Sequence, residues 1–404
     1  MAMSKTVALI IESFNGYGRG LCKGIVKYAD GNSSWSLLWS SLYLRKPSDE
    51  SLVKILRQQR VDGILLRAPQ SLADRIKAAR IPVVDLFNVD QRGVAYLCDD
   101  RAVAEMAIKY FAENGFYHFA FCGFPGVHFS IVRQTALADV LRRRGEPPPH
   151  VYMANSIRRR PMGVLPHTEA GYYETESLIR WLSTLPMPIC ILACNDARAL
   201  QILRACKVGG FNVPDDIAVL GIDNDELVTE VARPKLSSIQ PNTEATAFEA
   251  CESLDHLMRR EKVAAGTRYI APEKIIERDS TNTVATRDSV VQLACRLIRQ
   301  HACDGFSVKE CVNKLGVSRT QLEVKFKKVL GRTVHDEITR MRLRRVCQLL
   351  HTTDKTLSSI VAEIGYLDVS YMSNWFKKLM GISPGEYRHR ARALGNAAGC
   401  DRVI

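Results

Sequence analysis

The chain lacks a membrane anchor, a disulfide framework and several of the usual catalytic signatures. None of its apolar runs approaches the roughly 18 residues that a spanning helix needs. Its twelve cysteines include no C-x-x-C pair, and the closest two, Cys190 and Cys194, are flanked by apolar residues as at a buried strand end. Such cysteines are expected to be small core residues in a reducing compartment, not metal ligands or bridges. The opening MAMSKTVALIIES has one lysine, a short apolar run ending at Glu12 and no small-residue cleavage site behind it, so a cytoplasmic location is expected. No H-E-x-x-H pair or Walker Gly-Lys-Ser/Thr loop occurs. Gly16, Gly18 and Gly20 follow one strand pattern and precede a helix pattern, but a dinucleotide fingerprint requires glycine where Leu21 stands. The next run, WSLLWS, also ends without the ribose-binding acid. The expectation is therefore a protein that is not an enzyme and holds no cofactor or metal.

What is present is an ordinary globular composition, with 46% hydrophobic and 25% charged residues in 404. That length favours two or three domains. The net charge of +13 is unevenly spread. Residues 287–404 hold 21 Lys and Arg against 11 Asp and Glu, whereas residues 1–286 hold 35 against 32. A basic C-terminal part suits a polyanionic partner, although any single basic run is also what a solvated helix face looks like.

From Thr6 to about Arg278, short β-rich runs alternate with helical stretches: VALII, VDGILLR, PVVDLF, HFAFCG, PICILAC and IAVLGID, separated by helices near 19–29, 71–79, 131–143 and 197–206. Strands this continuously apolar are buried on both faces, and alternation with helices predicts parallel doubly wound sheets. There are too many strands for one comfortable sheet, which predicts two α/β lobes within residues 1–278. Residues 279–286, DSTNTVAT, are polar and lack an apolar period, and are expected to be a linker. Beyond it the pattern is all-helical through residue 392, with a tail at 393–404.

The helical part repeats itself at offsets of 49 and then 50 residues. Val308, Val312, Leu315 and Gly316 match Leu357, Val361, Ile364 and Gly365; Ser318, Leu322, Phe326, Lys327, Lys328 and Gly331 match Asp368, Met372, Phe376, Lys377, Lys378 and Gly381. Each copy reads as a short amphipathic helix, a turn glycine, an N-capping Ser or Asp, and a second helix with one apolar face. The outer face of that second helix would offer Arg319, Thr320, Glu323 and Val324 in one copy, and Val369, Ser370, Ser373 and Asn374 in the other, for base edges in a major groove. Ser318, Lys325, Lys327, Lys328, Lys377 and Lys378 suit phosphates better than bases. The stretch IVAEIGYLDVSYMSNWFKKLMGISPGEYR, from Ile360 to Arg388, resembles the second unit of the arabinose-regulator (AraC) family of bacterial transcription factors, and the run from Arg342 resembles its bridging helix. The resemblance implies double-stranded promoter DNA as partner, with the two second helices in successive major-groove segments. Asn374 stands where members of that family often carry Arg, which leaves this helix's base preference open.

In the α/β part, Asn195-Asp196 follows ICILAC and Asp223-Asn224 follows IAVLGI. The carboxyl ends of strands are where open α/β sheets present ligand-binding groups, and two carboxylates there suit a polyhydroxylated ligand. Taken alone, Asp196 is better explained as a cap of the helix after it. NDARAL followed by VPDDIAVLGIDN is similar to the sugar-responsive LacI repressor family and its periplasmic sugar-binding relatives. That resemblance implies a two-lobed, periplasmic-binding-protein-like sensor with three crossovers, near 96–100, 236–242 and 270–276, and ligand between the lobes. It further implies effector contacts from Asp223, Asp196, Asn195 and Arg133, with the loop Ser13 to Arg19 closing the cleft. Phe14, Tyr17, Phe124 and Phe129 are candidates to stack on a sugar face. A LacI-like sensor followed by an AraC-like double helix-turn-helix domain is the arrangement of pentose-responsive operon regulators. It implies D-xylose or a related pentose as effector, a homodimer, and contact with RNA polymerase where the outcome is activation. A transport-type binding protein would share the two lobes but not the basic C-terminal part.

Overall fold

The computed structural model describes residues 5–31, 35–39, 49–153, 174–283, 285–286, 288–365 and 368–393. The tail expected from 393 onward lies outside the described residues except for Ala393. The chain divides into two compact units, residues 1–112 with 117–282, and 113–116 with 283–404.

Among the described residues, the first unit contains two six-stranded sheets. Its chain runs β1 (Lys5–Ile10), α1 (Gly16–Gly31), β2 (Trp35–Trp39), α2 (Asp49–Gln58), β3 (Gly63–Leu66), α3 (Gln70–Lys77), β4 (Val83–Asp85) and β5 (Val94–Cys98). It continues through α4 (Asp100–Glu113), β6 (Phe119–Gly123), α5 (His128–Arg143), β7 (His150–Met153), α6 (Thr175–Leu182), β8 (Ile189–Ala193), α7 (Asp196–Gly209), β9 (Ile217–Ile222), α8 (Glu226–Val231) and β10 (Ser237–Gln240). The helix α9 (Thr243–Met258) and strands β11 (Gly266–Ile270) and β12 (Lys274–Ile276) complete it. One sheet has the order β11-β5-β4-β3-β1-β2 and is parallel throughout. The other has the order β12-β10-β9-β8-β6-β7, parallel except for the edge strand β12. The chain therefore passes between the sheets three times: from Cys98 to Asp100, from Gln240 to Thr243, and from Ile270 to Lys274.

Each sheet is buried on both faces, which explains the uninterrupted apolar runs: β3, β6, β8 and β9 have every residue buried. Leu9, Leu65 and Val84 pack against Leu21 and Ile25 of α1 and Leu254 of α9. Ile191 and Val219 pack against Ile202 and Leu203 of α7.

Contrary to expectation, the closing loop is short, because α1 already starts at Gly16. Asn15 fixes that start by accepting the Gly18 amide at 2.7 Å. The glycine run is a packing device: a Cβ on Gly20 would lie 2.4 Å from Thr243 Oγ1, and one on Gly24 would lie 2.7 Å from the Ala247 Cβ. Absent side chains let α1 and α9 close on each other, and no phosphate cradle is needed to explain them.

The expected linker begins too early. Ser280 and Thr281 are buried. Ser280 Oγ donates to the Val219 carbonyl at 2.6 Å, and its amide donates to the Lys235 carbonyl. A polar, aperiodic segment satisfies its hydrogen bonds inside the sensor instead of in water.

The second unit is helical: α10 (Ser289–His301), α11 (Val308–Leu315), α12 (Arg319–Leu330), α13 (Val334–Thr352), α14 (Leu357–Glu363), α15 (Val369–Met380) and α16 (Pro384–Ala393). Its two copies have separate cores, one around Cys311, Leu322, Phe326 and Ile338 and one around Ile360, Val361, Met372 and Phe376. The long α13 contributes Val334 and Ile338 to the first and Val346 and Leu350 to the second. Caps repeat with the sequence: Ser307 and Thr356 start α11 and α14, and Ser318 and Asp368 start α12 and α15. Gly381-Ile-Ser383-Pro-Gly385 has the G-x-S-x-G spacing of a hydrolase elbow, but it joins two helices and Ser383 accepts the Glu386 amide as a cap. Among the described residues no helix is long and apolar enough to cross a membrane, and no cluster of potential metal ligands occurs.

Candidate effector cleft and DNA-binding helices

In both sheets a group of charged residues stands at strand carboxyl ends. Glu12 and Arg67 follow β1 and β3, and Asp100 lies on the first passage between sheets. Across from them Arg133 projects from α5, and Asp223 and Asp225 follow β9.

Arg133 is the hub. Its side chain is 6% exposed; Nε donates to Asp100 Oδ1 at 2.9 Å, Nη1 donates to the Cys194 carbonyl, and Nη2 lies 3.7 Å from Asp223 Oδ1. Burial works against its charge, but Asp100 and Asp223 hold it firmly protonated. The ring of Phe129 lies 5.3 Å beneath the guanidinium. Asp223, only partly paired, is pushed up to about 6 by burial, against the pull of Arg133 and Arg67.

Asp196 has a different task from the one expected. It is 2% exposed, and both carboxylate oxygens are engaged: Oδ1 by Ser238 Oγ at 2.6 Å, Oδ2 by the Asp225 amide at 2.7 Å. Burial, then the charge of Asp223, raises its pKa well above the ordinary carboxylate value. It lies flat across β9, where a Cβ on Gly221 would come within 2.1 Å of Oδ1. The two acidic motifs are thus one interlocked unit in which Asp196 braces the loop carrying Asp223 and Asp225. Nor does Asp196 cap α7; Asn195 does, accepting the Arg198 amide at 3.0 Å.

Phe124 is also reassigned. It is 2% exposed and lies under the Arg198 guanidinium at 5.0 Å, so it is core and not a sugar platform. Tyr17 is buried as well, but beside the charge cluster: it lies 5.0 Å from the Arg67 guanidinium and within the field of Arg133, Asp100 and Asp223, and Phe87 lies 4.8 Å from the same guanidinium. Ser13 is half-buried and its carbonyl accepts from Arg19, while Phe14 is 46% exposed. Arg67 was not anticipated. It pairs with Glu12, its Nε has no partner, and burial lowers its pKa to about 10. The signal was present in the sequence, since Glu12 and Arg67 end their strands as Asp223 does.

On the helical unit, α12 and α15 have the same burial at all but their first residue. Leu322 and Phe326, like Met372 and Phe376, point inward; Thr320, Gln321, Val324, Lys327 and Lys328 are exposed, as are Ser370, Tyr371, Asn374, Lys377 and Lys378. Arg319 is exposed, whereas its counterpart Val369 packs against the second core. Glu323 and Ser373 turn partly inward, and Glu323 accepts the Val334 amide at 3.3 Å as α13 begins. Lys325 is taken up by Asp288 at 2.8 Å and not left for a phosphate. Ser318 caps α12 by accepting the Gln321 amide. Gln321 and Tyr371 were missed because capped first turns rotate them outward, a detail that periodicity alone does not fix.

A periplasmic binding protein-like domain model matches residues 108–281, and a helix-turn-helix domain model matches residues 311–390. The xylose operon regulatory protein of Haemophilus influenzae is 28% identical over 95% of this chain and 97% of its own length. That of Escherichia coli K12 is 28% identical, covering 95% and 96%. A solved xylose-binding transcription activator matches with a TM-score of 0.65 at 25% identity, covering 98% of this chain and 100% of its own. The chain is a helix-turn-helix transcription regulator. The regulator joins the sensor and DNA-binding classes that the two sequence resemblances indicated.

Proposed function

We propose that the regulator binds D-xylose or a closely related neutral pentose between its two lobes, and that this alters its binding to promoter DNA. The observation that carries the reading is the Asp100–Arg133–Asp223 cluster facing Arg67 and Glu12 at strand ends. Asp223 and Arg133 provide an acceptor and donors for sugar hydroxyls, Asn195 and Ser13 border the cleft, and Phe129 and Tyr17 supply aromatic walls. The carboxylates of Glu12, Asp100 and Asp223 outnumber the guanidinium groups of Arg67 and Arg133, which favours a neutral polyol over an acidic sugar. The full-length likeness to xylose operon regulators supports a pentose as that polyol.

On the DNA side, Arg319, Thr320, Gln321 and Val324, with Ser370, Tyr371 and Asn374, are assigned to base edges, and Lys327, Lys328, Lys377 and Lys378 to phosphates. Further parts of the reading are a homodimer, a cytoplasmic location, a sensor through residue 282, a DNA-binding domain from 283, and contact with RNA polymerase on activation. The test is a thermal-shift series with D-xylose, L-arabinose, D-glucose and D-glucuronate. Ligand that binds only the folded state raises its melting temperature by mass action. D-xylose should raise it most and the uronate not at all; a shift with the uronate alone would reject the neutral-pentose reading.

A further inference from the structure

Asp223 and Asn224 both sit in the left-handed region, with φ of 108° and 46°. For non-glycine residues that conformation persists only where surrounding bonds impose it. Here Asn224 is bonded through every polar group it has apart from its carbonyl. Its amide donates to Ser238 Oγ at 3.0 Å, Nδ2 donates to Gln240 Oε1 at 3.2 Å, and Oδ1 accepts Arg278 Nη2 at 3.0 Å. Arg278 is half-buried, and its Nη1 donates to the Leu236 carbonyl at 2.8 Å.

The backbone of Arg278 is gripped by a single hydroxyl. Its amide donates to Ser237 Oγ at 2.7 Å, and Ser237 Oγ lies 3.0 Å from its carbonyl. The same hydroxyl lies 2.7 Å from Thr281 Oγ1, which also meets the Tyr110 hydroxyl at 2.8 Å. Ser280 Oγ takes the Val219 carbonyl on β9, the strand that carries Asp223. The last residues before the DNA-binding unit are thus joined by buried and part-buried hydrogen bonds to the two strands that shape the Asp223 turn. A buried polar network of this kind is costly to leave half-made, so a change at one end favours a concerted rearrangement over a gradual one.

We infer that Asn224 and Arg278 are positioning residues that relay the state of the Asp223 turn to the segment entering the DNA-binding unit. This rests on the effector reading above: sugar at Asp223 shifts the left-handed turn, Asn224 moves with it, and Arg278 carries the displacement to residues 278–282. Neither residue is required to touch the sugar or the DNA.

The test uses the full chain with three variants. Asn224→Gly removes the acceptor while tolerating the backbone conformation, Asn224→Asp keeps the acceptor, and Arg278→Gln shortens the donor. D-xylose binding is read by thermal shift, and affinity for a duplex selected by the wild-type protein is read by fluorescence anisotropy with and without D-xylose. Couplings between sites are typically about 5- to 150-fold. Asn224→Gly and Arg278→Gln should keep the D-xylose shift and bind DNA without sugar to within about threefold of wild type, while the sugar-dependent ratio of DNA affinities falls close to one. Asn224→Asp should restore most of the ratio. A wild-type ratio in both uncoupling variants overturns the relay and leaves the effector site standing. A wild-type protein whose melting temperature no pentose moves overturns the effector reading, and the relay with it. Should Arg278→Gln fold poorly, Asn224→Gly decides.

Discussion

Arg19 and Asp225, 206 positions apart in sequence, meet at 2.5 Å as an ion pair joining the two lobes of the sensor. Arg19 projects from α1 and Asp225 caps α8, and a Cβ on Gly16 would lie 2.8 Å from that of Asp225. The lobes approach so closely here that only a glycine fits. Because Asp225 is also bound by its amide to Asp196, the contact fixes the loop that carries Asp223. One partner is a third exposed, so the pair contributes about 1 kcal/mol to closure. Arg19→Gln should therefore weaken D-xylose binding roughly fivefold in calorimetric titration; an unchanged affinity would separate this pair from closure.

The raised pKa of Asp223 sets a pH dependence. Its value of about 6 in the fold lies above the ordinary carboxylate value of 3.8. In the free protein its contribution to stability is fully present below the unfolded value and is lost as the pH rises through about 6. Sugar binding has the opposite sign, since the ionised carboxylate is the better acceptor. Affinity should fall as the pH drops from 7 to 5, and Asp223→Asn should be weak and flat over that window. The measurement is a titration of D-xylose at each pH, and a wild-type profile that stays flat would contradict the role of Asp223.

For the DNA-binding helices, the distinction lies between base and phosphate contacts. Asn374→Ala and Gln321→Ala should each lower discrimination between specific and random duplex by about 1–3 kcal/mol. Lys378→Ala should weaken both alike and reduce the slope of log affinity against log salt by about one. Anisotropy titrations over a range of salt concentrations distinguish these outcomes, and equal losses on both duplexes for Asn374→Ala would place it outside base readout.

The turn glycines of the repeat are not equivalent. Gly316 and Gly365 have φ of 65° and 72°, but a Cβ on Gly316 meets nothing within 4 Å, whereas one on Gly365 would lie 2.5 Å from the Gly305 amide nitrogen. Gly316→Ala should cost only the left-handed backbone penalty, about 1 kcal/mol. Gly365→Ala adds a clash with backbone that cannot rotate away, for a loss beyond about 2 kcal/mol. Urea unfolding followed by helix signal checks the order of the two.

Much of this molecule was legible in the sequence because its signals are local and repeated. Unbroken apolar runs such as ICILA predict strands buried on both faces, and the 49- and 50-residue offsets predict two similar helix pairs, which the structure has as α11 with α12 and α14 with α15. The carboxylate of Asp223 was legible for the same reason, since it directly follows the Gly-Ile that ends a recognisable strand.

What only the tertiary structure decided depends on partners distant in sequence. Asp196 and Asp223 are alike as sequence features. One became a brace because Ser238 and Asp225 claim its oxygens, while the other was left to the cleft beside Arg133. The same holds on the helical unit, where Lys325 looks like its neighbours Lys327 and Lys328 until Asp288 pairs with it. Segment 279–282 carries every mark of a linker, yet Val219, Lys235 and Ser237 satisfy its polar groups and draw it into the sensor. Local sequence sets which chemistry is available at a strand end or a helix face. Whether that chemistry is spent inside the fold or offered to a ligand is set by which donors and acceptors the fold brings within 3 Å of it.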